Sequence, residues 1–142
     1  MLKVLKEIQK EHTKILKEMK EKVQKQLKPV LQDFMNSHSN IKAIGWTQYT
    51  PYFNDGDECI FSVGDLFATV SEDYDDDSFY GEGWVELYGD PEEGFTKQDW
   101  KDLKELNDTL HGLEDFLKMV FGDHVKVLVT QKGVEVEEYE HD

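Results

Sequence analysis

Arginine is absent from this 142-residue chain, cysteine occurs once and proline three times, and no uncharged apolar run approaches the ~18 residues of a membrane span. Each absence excludes something. Without arginine the usual side chain for bidentate recognition of phosphate or base edges is missing, which argues against a nucleic-acid binder. The single Cys59 forbids an internal disulfide and a cysteine-based zinc cluster, and it fits a reducing cytoplasm. The opening MLKVLKEIQK lacks the uninterrupted apolar core of a secretory signal. No GxSxG, Walker-type or GxGxxG pattern occurs, and Gly81-Glu82-Gly83 is a lone glycine pair in an acidic setting that would repel phosphate. No segment repeats at a fixed period, which excludes solenoids and propellers.

What the chain does have is acid: 31 Asp and Glu against 16 Lys, a formal charge of −15. With 38% apolar and 12% aromatic residues it is nevertheless too rich in rings for a disordered acidic tail, and its length suits one ordinary domain. The charge is divided. Residues 1–36 carry nine Lys against five acids, a balance of +4, while residues 37–142 carry seven Lys against twenty-six acids, a balance of −19. A basic amphipathic helix over 1–36 is therefore expected ahead of an acidic α+β domain over 41–142.

From Leu2 to Lys28 the apolar residues Leu5, Ile8, Ile15, Met19, Val23 and Leu27 fall three, four or seven apart, tracing one helical stripe. Glu7 with Lys10, Glu11 with Lys14, Glu18 with Lys22 and Glu21 with Lys25 pair along the helix surface. His12 interrupts the stripe and has no second ligand at helical spacing. Pro29 is expected to kink or end the helix before Val30, Leu31, Phe34 and Met35 add a further apolar turn. At about 1.5 Å per residue, 27 residues make a helix of roughly 40 Å, longer than the domain beside it. Part of it must overhang. Self-association through residues 2–35 and folding back along the sheet are both open.

Residues 41–70, rich in aromatic and β-branched side chains, read as two strands around the turn Asn54-Asp55-Gly56-Asp57, with Gly64-Asp65 interrupting the second as a bulge or turn. Trp84-Val85-Glu86-Leu87-Tyr88 reads as a third strand. The best-marked element follows: Thr96 with Asp99 forms an acidic capping box, Phe95 and Trp100 a hydrophobic staple, and Trp100, Leu103, Leu106, Leu110, Leu113, Leu117 and Val120 one stripe ended by Gly122. His111 lies beside it as a surface residue. Val125, Val127 and Val129, then Gln131-Lys132-Gly133, then Val134 and Val136 read as a hairpin. The expected fold is α+β, with a mostly antiparallel sheet of about five strands and the order α-β-β-β-α-β-β.

No catalytic residues are identified, and no cofactor or dedicated metal site is expected. Asp73, Asp75 and Asp77 match the start of a calcium loop, but Ser78 and Trp84 stand where its glycine and glutamate belong. Cys59 sits in an apolar strand context that suits a structural thiol. Between Ser71 and Gly83 six acids fall in thirteen residues. There Tyr74, Phe79, Tyr80 and Trp84 interleave with Glu72, Asp73, Asp75, Asp76, Asp77, Glu82 and Glu86, the composition of a face that docks onto a basic protein groove, with rings as anchors. A solvated acidic loop is the plainer reading of the same residues. Trp46, Tyr49, Tyr52, Asn54, Asp55 and Asp57 are an alternative small-molecule or divalent-ion site in a chain that would then bind a ligand or be an enzyme. A structural or assembly protein acting through its N-terminal helix is the third reading.

The run from Gly45 to Asp57 (GWTQYTPYFNDGD), with Cys59 and Phe61 after it, resembles a motif of uncharacterised small proteins of tailed bacteriophages, and the closing Gly133-Val134-Glu135-Val136-Glu137-Glu138-Tyr139 is similar to their tail. The two segments cover about a sixth of the chain. The resemblance implies no activity, only a phage setting and action in the host cytoplasm. There, small acidic proteins often inhibit host enzymes, some as nucleic-acid mimics. The leading expectation is a non-enzymatic acidic protein that binds and blocks a basic site on a host protein, a nucleic-acid enzyme being one such partner and nucleic-acid mimicry one such mode.

Overall fold

In the computed structural model, residues 1–52, 56 and 59–140 are described. Helix α1 runs without a break over Leu2–Ser37, through Pro29, so the helix does not end at the proline. The reason lies in the packing. Leu27, Leu31 and Met35 are buried on either side of the proline, while Pro29 itself is exposed, so the carbonyl it leaves without an N–H donor faces water. The first half of α1 is different: every residue from Met1 to Met19 is exposed.

Among the described residues the sheet is wholly antiparallel and has six strands: β1 (Ala43–Tyr49), β2 (Ser62–Val63), β3 (Phe67–Thr69), β4 (Val85–Glu86), β5 (Val125–Thr130) and β6 (Gly133–Glu138). Their order is β4-β3-β1-β5-β6, with β2 pairing the far end of β1. β2 and β3 are one strand broken at the expected place. Gln48 lies opposite Val63 but Gly45 opposite Phe67, so one extra residue is accommodated between them. The Leu66 N–H freed there donates to Asn107 Oδ1 at 2.9 Å.

Helix α2 (Lys97–Gly112) starts as its sequence dictates: Thr96 Oγ1 accepts from the Asp99 N–H and Asp99 Oδ2 from the Thr96 N–H, both at 3.0 Å, and Phe95 packs edge-on against Trp100. The expected single helix to Gly122 is two. α2 stops after Gly112, the residue with the poorest helix propensity short of proline, and α3 (Glu114–Phe121) follows after Leu113. The observed order is thus α-β-β-β-β-α-α-β-β, an α+β fold.

Both faces of the sheet are covered. Ile44 and Trp46 of β1, Ala68 of β3, and Val127 and Val129 of β5 point to the face that meets Leu27, Leu31 and Met35 of α1, Leu103 and Leu110 of α2 and Leu117 and Phe121 of α3. Gln48, fully buried on this face, is satisfied three times. Its Oε1 accepts from Trp46 Nε1 at 2.9 Å, and its Nε2 donates to the Leu117 and Gly122 carbonyls at 2.9 and 2.7 Å, tying the end of α3 to β1. The opposite face, with Ala43, Phe67 and Leu128, is covered by the acidic segment between β3 and β4.

Candidate functional site

That segment is built by short-range hydrogen bonds from its own polar side chains. Ser71 Oγ accepts from the Asp73 N–H at 3.1 Å, Asp75 Oδ1 from the Asp77 N–H at 2.9 Å and Ser78 Oγ from the Tyr80 N–H at 3.2 Å, the turn chemistry of Ser and Asp. The Asp75 N–H donates to the Glu82 carbonyl at 2.9 Å and closes the loop on itself. Gly81 is required there, since a side chain would run into the Asp75 carboxylate.

The loop is nailed to the sheet by its rings. Phe79 is buried, stacks on Phe67 at 5.3 Å and meets Trp84 edge-on at 4.8 Å, and Tyr74 packs against Trp84 at 5.0 Å. Gly45 of β1 makes the seat, because a Cβ there would overlap the Phe79 ring. Trp84 Nε1 donates to the Asp75 carbonyl at 2.6 Å. Beneath the loop lies a buried cation, Lys126 of β5. Its ammonium donates to the Asp76 carbonyl, lies 3.6 Å from Glu137 Oε2 and sits 5.6 Å from the centre of the Phe79 ring.

Of the rings in this region, then, Phe79 is consumed by packing and Tyr74 and Trp84 are half-buried, whereas Tyr80 is 82% exposed and Tyr88 is exposed. The acids divide similarly. Glu72, Asp73, Asp76, Asp77, Glu82 and Glu86 are exposed, and Asp75 is half-buried with its carboxylate engaged in the turn. The fold adds acids that lie more than fifty residues away in the chain. Glu135 and Glu137 of β6 stand opposite Leu128 and Lys126, on the same side of the sheet as the loop. Tyr74 registers the convergence: burial pushes its phenol above the usual range, and Asp76 and Glu135, one from each segment, push it further. Asp75, Asp76 and Asp77 each place a carboxylate oxygen within 4.8 Å of the others, an exposed arrangement common without an ion.

Among the described residues of the alternative group, Trp46 stands apart from the two tyrosines. Trp46 is in the core, edge-on to Phe121. Tyr49 is half-buried with its ring 5.6 Å from that of Tyr139, and Tyr52 is exposed and stacks on His124 at 4.7 Å, beside an open cleft of about 510 Å³. Asn54, Asp55 and Asp57 lie outside the described residues. At the rim of that cleft Asp123 accepts from the Thr50 N–H, the Thr50 hydroxyl and the His124 N–H at 2.7–2.8 Å. Burial opposes its charge, and these hydrogen bonds outweigh burial and hold its carboxyl below the usual range.

Sequence reading passes over one further cluster, at the junction of α1 and α2. His38 presents Nδ1 to the Phe34 carbonyl at 2.7 Å and Nε2 to Asp102 Oδ2 at 2.9 Å, with its ring stacked on Phe34 at 4.1 Å. Burial works against the imidazolium, but the hydrogen bonds to Asp102 and Phe34 outweigh it and raise His38 above its usual 6.5, while Asp102 is lowered, chiefly by the same bond. Ser37 is adjacent, yet both ring nitrogens face acceptors, leaving neither to serve as a base toward it. The pair is a clasp between helices. Only the separation of 64 residues in sequence hides it.

No protein-family model matches the chain, and neither a curated protein nor a solved structure matches it.

Proposed function

We propose that the protein is a non-enzymatic interaction protein whose acidic face, formed by the loop between β3 and β4 together with β6, binds and blocks a basic site on a protein partner. The observation that carries this reading is that the exposed loop acids Asp73, Asp76, Asp77 and Glu82 and the β6 acids Glu135 and Glu137 lie on one side of the sheet, where Asp76 and Glu135 both act on Tyr74, with the ring of Tyr80 exposed in the same loop. A rigid array of carboxylates imitates the charge of a phosphate backbone, and the loop is held rigid by Phe79, Trp84 and Lys126, so little ordering entropy is lost on docking. Tyr80 supplies the amphipathic anchor. A nucleic-acid enzyme of a bacterial host is the partner class that suits such a face, and the likeness of residues 45–57 to phage proteins supplies the host.

The test is binding of the full chain to the partner recovered from host lysate, measured against ionic strength. Replacing Asp73, Asp76 and Asp77 by Asn, with Asp75 kept because its carboxylate holds the turn, is expected to weaken binding by at least about tenfold, equivalent to ~1.4 kcal/mol, and to flatten the salt dependence. Intact binding by this variant, or affinity indifferent to salt, would sink the reading.

A further inference from the structure

The front half of α1 leaves its domain bare. From Met1 to Met19 every residue is exposed, and among them Leu2, Leu5, Ile8, Ile15, Leu16 and Met19 are 46–66% exposed on one stripe. A lone amphipathic helix of this length has little stability in water, because most helical stability comes from packing the apolar stripe. The stripe is also not a separate feature. Leu5, Leu16 and Leu27 follow one another at eleven residues, as do His12, Val23 and Phe34, so the rows that pack into the core at their C-terminal ends run on unpaired into the arm.

We infer that this arm is covered by the arm of a second copy, the two helices lying antiparallel. The six exposed side chains offer on the order of 600 Å² per copy, which matches the low end of the ~1,200 Å² total that stable interfaces bury. Charge fixes the direction. Residues 1–36 sum to +4 and residues 37–142 to −19. Antiparallel arms hold the two acidic bodies at opposite ends and bring Lys3 and Lys6 of each arm up to the body of the other, whereas parallel arms would press the two bodies together. The mixed Glu and Lys flanks of the stripe and its lack of aromatic residues between Met1 and Met19 suit a helix–helix seam over a lipid surface.

Sedimentation equilibrium of the full chain is expected to give twice the 16.6 kDa of one copy, dissociating on dilution. The double variant Ile8→Asp with Ile15→Asp should be monomeric while its near-ultraviolet circular dichroism, which reports the tryptophans of the body, stays unchanged. Spin labels on Lys3→Cys in a Cys59→Ser background should lie about 25–30 Å apart in the dimer, from ~1.5 Å of rise per residue on either side of the crossing. A monomer at every concentration overturns the inference, whether or not it partitions onto anionic vesicles. So does a dimer that survives the double variant, or a label separation near the ~10 Å of adjacent helices in register.

Discussion

The two faces of the sheet are buried by opposite means. On one, three helices bring Leu31, Met35, Leu103, Leu110, Leu117 and Phe121 against Trp46, Ile44, Val127 and Val129. On the other, a loop of acids holds itself down with one fully inserted ring, Phe79, two partly buried ones, Tyr74 and Trp84, and a lysine underneath. The first face is a core in the ordinary sense, with its polar atoms satisfied and its side chains supplied by regular elements. The second is a mounting: few apolar groups, all spent on fixing a charged surface in place. Stability and display are thus divided between the two sides of one sheet.

The division predicts unequal costs. Trp46→Ala, which removes the largest fully buried side chain of the helical face, is expected to destabilise the protein by about 3–5 kcal/mol and to lower the urea midpoint of global unfolding. Phe79→Ala should cost less, about 2 kcal/mol, because the loop can settle into the space left. Its signature should be faster amide exchange confined to residues 72–84 while the helical face keeps its protection. If Phe79→Ala instead unfolded the whole chain as readily as Trp46→Ala, the loop would be an equal half of the core and the contrast would fail.

The smallest expected effect concerns His38, which clasps α1 to α2 on the helical side. Its folded pKa is raised above 6.5, so the stabilisation it provides is complete below the unfolded value and is lost as pH rises through the folded one. Asp102 is lowered from its usual 3.8, so its share is present above that value and is lost as pH falls through the folded one. Stability measured by urea unfolding should therefore form a plateau bounded by these two titrations, and His38→Gln should remove the loss on its alkaline side. An unchanged profile in that variant would show that the clasp does not contribute.

Much of the fold is legible in local chemistry. The capping box of Thr96 and Asp99, the staple of Phe95 and Trp100 and the hairpin around Gln131 and Lys132 form where the residues direct, because each rests on contacts within a few positions of the chain. The exceptions are places where packing outweighs a local rule. Pro29 does not stop α1, since Leu27, Leu31 and Met35 are all buried against the same body. The stripe from Trp100 to Val120 does not make one helix, since α3 turns at Leu113 to bury Leu117 and Phe121 and to place the Leu117 carbonyl on Gln48.

The candidate face was only half visible beforehand. Its acids in residues 72–86 stand out by composition, but composition cannot say which rings face water. The fold sends Phe79 inward because Gly45 leaves room for it, and leaves Tyr80 outside. Nor could it show that Glu135 and Glu137 join the loop or that Lys126 lies beneath it, because those positions meet only through the β5–β6 register and the crossing of the sheet.

By itself, then, the sequence determined most of the elements, the α+β class and the separation of a +4 arm from a −19 body, since periodicity, capping and charge are properties of neighbours along the chain. The tertiary structure decided which aromatic residues are anchors and which are display, which acids share a face, and how much of α1 stands clear. Those depend on contacts between segments well separated along the chain, such as Gly45 with Phe79 and Asp76 with Glu135, and their energies exist only once the chain has closed on itself.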